Sequence, residues 1–77
     1  MKQVTASEMR PGNVIAFEGA EDRANLHITI YKVRDGHSYG MRPYIHVNKD
    51  VEIGYIGVEE MEFLHDSTHP YTLLEEG

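Results

Sequence analysis

Apolar residues recur at every second position over much of this chain, a spacing that suits half-buried β-strands. The clearest case is residues 26–33, LHITIYKV, where Leu26, Ile28 and Ile30 fall on one face and His27, Thr29 and Tyr31 on the other. Asp35-Gly36 follows, a pair suited to a tight hairpin because glycine tolerates the positive φ such turns need. Residues 39–47 then read as the returning strand, with Ile45 and Val47 toward a core and Tyr44 and His46 opposite. Pro43 cannot donate a ladder hydrogen bond, so this strand is expected either to be interrupted there or to lie at an edge. A shorter apolar run, Val14-Ile15-Ala16-Phe17, is bounded by Asn13 and Gly19 and predicts another strand. Val51, Ile53 and Tyr55 alternate with Glu52 and Gly54 to suggest a fourth. Residues 58–64 fit two patterns: Met61 and Leu64 suit a helical turn, whereas Met61 and Phe63 suit a strand with Glu60 and Glu62 outside.

Between these runs the chain is punctuated by turn chemistry. Ala6-Ser7-Glu8-Met9 predicts one short turn with Ser7 at its start, ended by Pro11-Gly12. Asn48-Lys49-Asp50 reads as a further turn, and Gly54 and Gly57 as bends. Residues 66–77, with Pro70, are expected to form an extended C-terminal tail whose Tyr71, Leu73 and Leu74 dock on the body. Short strands separated by regular turn signals, with no long amphipathic helix, predict an all-β fold. Residues 1–77 are expected to form a single SH3-like or related β-barrel of about five short strands with little helix.

Composition narrows the class. At 77 residues, 40% hydrophobic and 26% charged, the chain suits one small globular domain. It has no cysteine, which removes disulfides and thiolate metal sites. No apolar run approaches the ~20 residues of a membrane span. The first residues lack the apolar stretch of a secretory signal, so a cytoplasmic protein is expected.

Charge changes the picture more. All seven Lys and Arg residues lie at or before position 49, where the local balance is +2; from Asp50 onward there are eight acids and no Lys or Arg, a balance of −8. This predicts an acidic patch.

Candidate chemistry is sparse. His65 and His69 have the spacing that would place two imidazoles on one helical face, but Pro70 follows at once. His27 and His46 are further candidates that paired strands would bring to one face. Without a convergent third ligand, no metal site is expected. Ser7, Ser38 and Ser67 lack the context of an activated nucleophile, and Glu59-Glu60 and Asp50-x-Glu52 do not by spacing alone make an acid/base pair. Gly54-x-x-Gly57 is too slight for a phosphate loop. The expectation is a protein without enzymatic activity or cofactor.

The stretch Ala6-Ser7-Glu8-Met9-Arg10-Pro11-Gly12-Asn13-Val14-Ile15 resembles the entry to the first strand of small SH3-like barrels. It is similar to short proteins of actinobacteria and their phages, and less closely to the N-terminal barrel of elongation factor P. The resemblance implies a barrel and, for the phage-type proteins, an accessory role at a host protein. It departs from the elongation factor at that family's functional hairpin tip, where Asp35-Gly36-His37-Ser38 offers no lysine.

Two functional expectations follow. The first is a non-catalytic protein-interaction module that meets a protein partner through Glu59, Glu60, Glu62 and Phe63, or through a surface bearing Tyr31, Tyr44 and His46. Homo-oligomerisation by edge-strand pairing belongs to the same reading. The second is a nucleic-acid-associated barrel using Lys32, Arg34, Arg42 and Tyr39, the basic and aromatic vocabulary of such sites. The acid-only C-terminal third would repel a phosphate backbone, which makes nucleic acid the lesser expectation.

Overall fold

The computed structural model describes residues 2–48 and 53–77, with side-chain surroundings at 2–43 and 57–77. Among the described residues six strands form one antiparallel sheet: β1 (Gln3–Val4), β2 (Val14–Ala16), β3 (Ile28–Arg34), β4 (His37–Asn48), β5 (Ile53–Leu64) and β6 (Tyr71–Glu75). Their order across the sheet is β1-β6-β2-β3-β4-β5, curled into a half-barrel. The all-β expectation holds, with six strands in place of about five. Among the described residues the helical structure consists of two single 3₁₀ turns, Ala6–Glu8 and Ala24–Leu26. None of it is long and apolar enough to cross a membrane.

The core lies inside the curl. Val4, Ala6, Met9, Ile15, Ile28, Ile30, Phe63, Tyr71 and Leu73 are buried there, with Val33 and Met61 packed against them. Ile15, Ile28 and Ile30 have no exposure at all. At about 1.5–3 kcal/mol for each fully buried aliphatic side chain, these three anchor the sheet. The first 3₁₀ turn supplies Ala6 and Met9. It begins after Thr5, not at Ser7, because Glu8 folds back so that its carboxylate accepts the Thr5 N–H at 2.8 Å and the Thr5 hydroxyl at 3.1 Å.

Arg10-Pro11-Gly12-Asn13 is a closed turn. The Asn13 N–H donates to the Arg10 carbonyl, and the Asn13 side chain accepts the Arg10 N–H at 2.8 Å. Gly12 sits at φ 97°, a conformation that side chains disfavour. Its N–H donates to the Ile30 carbonyl, so the turn is already part of the β2–β3 ladder. Within the apolar run that follows, Ile15 and Ala16 are buried, while Phe17 lies past the strand end and is 42% exposed.

Within the C-terminal segment, Tyr71–Glu75 form β6, an interior strand of the sheet. β6 pairs with β1 on one side and β2 on the other. Tyr71 and Leu73 dock into the core and Leu74 is half-buried. Ala16 and Thr72, paired with each other, are buried on the opposite side of the sheet. Both faces are therefore covered at this end.

The other end differs. β4 runs unbroken through Pro43, which stands opposite Val58. The last β4 residue with a partner in β3 is Met41; from Arg42 onward the described ladder is with β5 alone. Pro43 thus occupies the edge position that its missing N–H permits. Residues 58–64 take the strand alternative, with Met61 and Phe63 inward and Glu60 and Glu62 outward. Asn48, expected in a turn, is the last residue of β4 and pairs with Ile53; Lys49, Asp50 and the strand start expected at Val51 lie outside the described residues.

Candidate functional site

The outward face of β3, β4 and β5 gathers most of the chemistry-bearing residues. Regular alternation along LHITIYKV would put Lys32 on the core side, behind Ile30. A β-bulge prevents this. Ile30 pairs with Gly40 and Lys32 pairs with Tyr39, so Tyr31 is the extra residue. Tyr31 and Lys32 consequently share the outer face, Val33 returns to the core side opposite Ser38, and Arg34 faces out opposite His37. The alternation of β4 and β5 adds Tyr39, Met41, Glu60, Glu62, Val58 and Leu64 to the same face.

These side chains form a connected layer. The Tyr31 hydroxyl donates to Glu60 Oε2 at 2.8 Å. The Tyr31 and Tyr39 rings lie 6.4 Å apart, and His37 stacks on Tyr39 at 6.1 Å with an interplanar angle of 20°. Lys32 Nζ rests 4.5 Å from the Tyr39 ring centre, within cation–π range. His37 Nδ1 is shielded from solvent and lies 3.5 Å from Glu62 Oε1, too long for a well-formed hydrogen bond. The bond to Glu60, then partial desolvation, raises the Tyr31 pKa above the ordinary phenol value. Desolvation, followed by the charge of Glu62, does the same to Tyr39.

The expected acidic set does not act as one cluster. Glu59 is on the other side of the ribbon, where Arg42 holds it through Nε at 2.9 Å and Nη2 at 2.7 Å. Arg42 is thereby removed from the basic set as well. Phe63 is 6% exposed and belongs to the core, where it meets Tyr71 edge-on at 5.1 Å. A phenylalanine among acids in sequence looks like a surface anchor; strand alternation turns it inward.

Tyr44 and His46 stand in β4 opposite Gly57 and Tyr55, and only their backbone positions are described. At ~3.3 Å per residue they lie more than about 13 Å along the strand from the rows that hold Tyr31. The backbone does not bring the three together. Lys32, Arg34 and Tyr39 are brought together, but on the face that also carries Glu60 and Glu62.

The histidines have other partners. His27 Nε2 lies 2.8 Å from the Glu21 carbonyl, and His69 packs on Tyr71 and Phe17. His65 Nε2 is 2.8 Å from the Ser38 hydroxyl, a pair that resembles a nucleophile and its base. The geometry gives it a different role. Ser38 is fully buried and its single hydroxyl proton goes to the Ala6 carbonyl at 3.0 Å, so Oγ can only accept from His65. The pair ties the first 3₁₀ turn, β4 and the end of β5 together. Among the described residues no group of three or more His, Asp or Glu is placed to hold a metal ion.

Sequence reasoning missed four members of the outer layer: His37, Met41, Val58 and Leu64. For the two in β4 the signal was present in the hairpin: once Arg34 and His37 flank Asp35-Gly36, parity assigns every second β4 residue to the outside. Comparison of the chain with protein-family models, with curated proteins and with solved structures found no match.

Proposed function

We propose that this protein is a non-catalytic interaction module that receives a protein partner on the outer face of β3, β4 and β5. One observation carries the reading. Of the five exposed large apolar side chains among the described residues, four (Tyr31, Met41, Val58 and Leu64) lie on this face. Apolar side chains gathered on one face of a small domain mark an interaction surface far more often than the same residues scattered singly. Aromatic rings held by charged neighbours are also what interface centres use. The sequence-level reading of an acidic surface is narrowed by this geometry to Glu60 and Glu62, with Glu59 set apart by Arg42. The place of action we propose is the cytoplasm.

The test is site-directed photocrosslinking in cells, with a photoreactive residue at Met41 or Val58 and a control at Thr68. Protein adducts from the two outer-face positions and none from the control are expected. Adducts from none of the three positions would refute the reading.

The bulge gives specific support to a second reading, a nucleic-acid surface, because it places Tyr31 and Lys32 side by side with Arg34 and Tyr39. Two carboxylates on the same face offset its two cations, which leaves little net field for a phosphate backbone. Retention of single-stranded RNA or DNA that weakens steeply with salt would favour it, and no retention at low salt would remove it.

A further inference from the structure

The charges on the outer face are sorted by strand. β3 contributes Lys32 and Arg34, neither of which has an ion-pair partner among the described residues. β5 contributes Glu60 and Glu62, and β4 between them carries the uncharged Tyr39 and Met41 with His37. From this arrangement we infer that the face is covered by a second copy of the chain, related by a two-fold axis lying along β4. The inference rests on the reading of this face as an interaction surface and names its occupant.

Rotation about that axis exchanges β3 with β5. Each cationic strand then faces the carboxylate strand of the other copy, and Tyr39 and Met41 meet their own counterparts near the axis. Height along the strands is preserved by the same rotation. Lys32, Tyr39 and Glu62 form one cross-strand row, so Lys32 of one copy comes opposite Glu62 of the other. An axis running across the strands would instead set β3 on β3 and oppose like charges, which is unfavourable. Pairing through the β5 edges is disfavoured for the same reason, because it would bring Glu60 and Glu62 of both copies together.

The face is small. Three strands run side by side over residues 60–64 of β5, about 14 Å by about 17 Å at ordinary strand spacing, and β4 and β5 continue to Val58. A flat footprint of that size, roughly 500–600 Å² over both copies, lies below the range of stable interfaces, so the charge match must carry the pairing. The expected association is therefore weak, reversible and concentration-dependent.

The test is sedimentation equilibrium on the full chain and on two charge-reversed variants, Lys32→Glu/Arg34→Glu and Glu60→Lys/Glu62→Lys. The wild type is expected to dimerise, each variant to associate about tenfold more weakly or less, and their equimolar mixture to recover dimer. Circular dichroism on each variant confirms the fold, and recovery on mixing is itself beyond an unfolded chain. As an independent measurement, Met41→Cys introduces the chain's one thiol, and a short bismaleimide should link two copies across the axis. A wild type that stays monomeric at millimolar concentration would overturn the inference, as would variants that dimerise undiminished or a mixture that fails to recover. A monomer whose outer face still crosslinks to another protein in cells would leave the interaction reading standing; loss of both would remove it too.

Discussion

The hydroxyl of Tyr31 on β3 reaches across β4 to the carboxylate of Glu60 on β5, 2.8 Å away. Strands adjacent to β4 on its two sides are thus joined over its outer surface by the residue at the bulge. The bond has a titration signature. It raises the Tyr31 pKa, and a group whose folded pKa is raised contributes stability that is present below the unfolded value near 10 and is lost as pH climbs through the folded one. Tyr31→Phe should therefore be the less stable protein at neutral pH and converge with the wild type as pH climbs through the folded pKa, which flattens the alkaline fall in stability. Ultraviolet titration should show the loss of one late-titrating phenol; an unaltered late phase would contradict the assignment.

Gly40 sits in β4 against the centre of the core. A Cβ at this position would stand 2.5 Å from Ile28 Cγ2 and 3.1 Å from Ile30 Cδ1. Both isoleucines are fully buried and have no free direction in which to move. Gly40→Ala should cost about 1–3 kcal/mol, the usual penalty of overpacking a filled core. Urea denaturation checks this. If Ile28→Ala, which removes the clashing Cγ2, is combined with Gly40→Ala, the doubly changed protein should lose less stability than the two single changes summed.

Asn13 is buried at 5% exposure and uses its amide at both ends: Oδ1 accepts the Arg10 N–H, and Nδ2 donates to the Glu76 carbonyl at 3.0 Å. It therefore fastens the turn before β2 to the segment after β6. Asn13→Ala should destabilise by about 1–3 kcal/mol, because it removes two part-buried hydrogen bonds at about 0.5–1.5 kcal/mol each. Asn13→Asp keeps the acceptor but loses the donor, so it should protect Arg10 and release Glu76. Amide exchange at Arg10 and along β6 separates the two effects.

The carboxylate of Glu8 accepts from the backbone and hydroxyl of Thr5, which holds its pKa below the ordinary carboxylate value, with Lys2 adding a smaller pull. A depressed folded pKa means stability that is present above the unfolded value of about 4.3 and is lost as pH falls through the folded one. Glu8→Gln should therefore be the weaker protein at neutral pH and converge with the wild type in acid. Thermal midpoints measured from pH 2 to pH 7 decide this; parallel curves would show that the carboxylate charge has no part.

Much of the sheet was legible from alternation and turn chemistry. Gly36 lies at φ 78° in the tight turn that Asp35-Gly36 predicts, and Ile28 and Ile30 are buried as their spacing requires. What escaped the sequence was long-range. Tyr71 and Leu73 look like residues of a docking tail because nothing local reveals that β1 and β2 leave a gap of one strand for them. Glu59, Glu60 and Glu62 look like one acidic cluster because composition ignores parity, which sends Glu59 to Arg42 and the other two to the opposite face. Lys32 and Tyr31 could not be placed together either, since period-two reasoning assigns neighbours to opposite faces and a bulge is invisible in it.

That bulge yields a test of whether the outer layer exists for folding or for binding. With Tyr31 in place, Ile30 and Val33 both face the core although an odd number of steps separates them, because the extra residue absorbs one step. Deleting Tyr31 removes the irregularity: Ile30 still meets Gly40, Lys32 still meets Tyr39, and Val33 still meets Ser38 in an unbroken ladder. The deletion protein should keep a cooperative unfolding transition close to that of the wild type, since no core residue changes sides. Deleting Thr29 instead shifts Ile28 out of phase with Ile30 and should abolish the transition. If the bulge serves the surface, the Tyr31 deletion will retain the fold and lose the outer-face crosslinks and self-association together. If the Tyr31 deletion unfolds like the Thr29 deletion, the bulge is part of what holds the sheet in its curl, and the tyrosine is there for the scaffold.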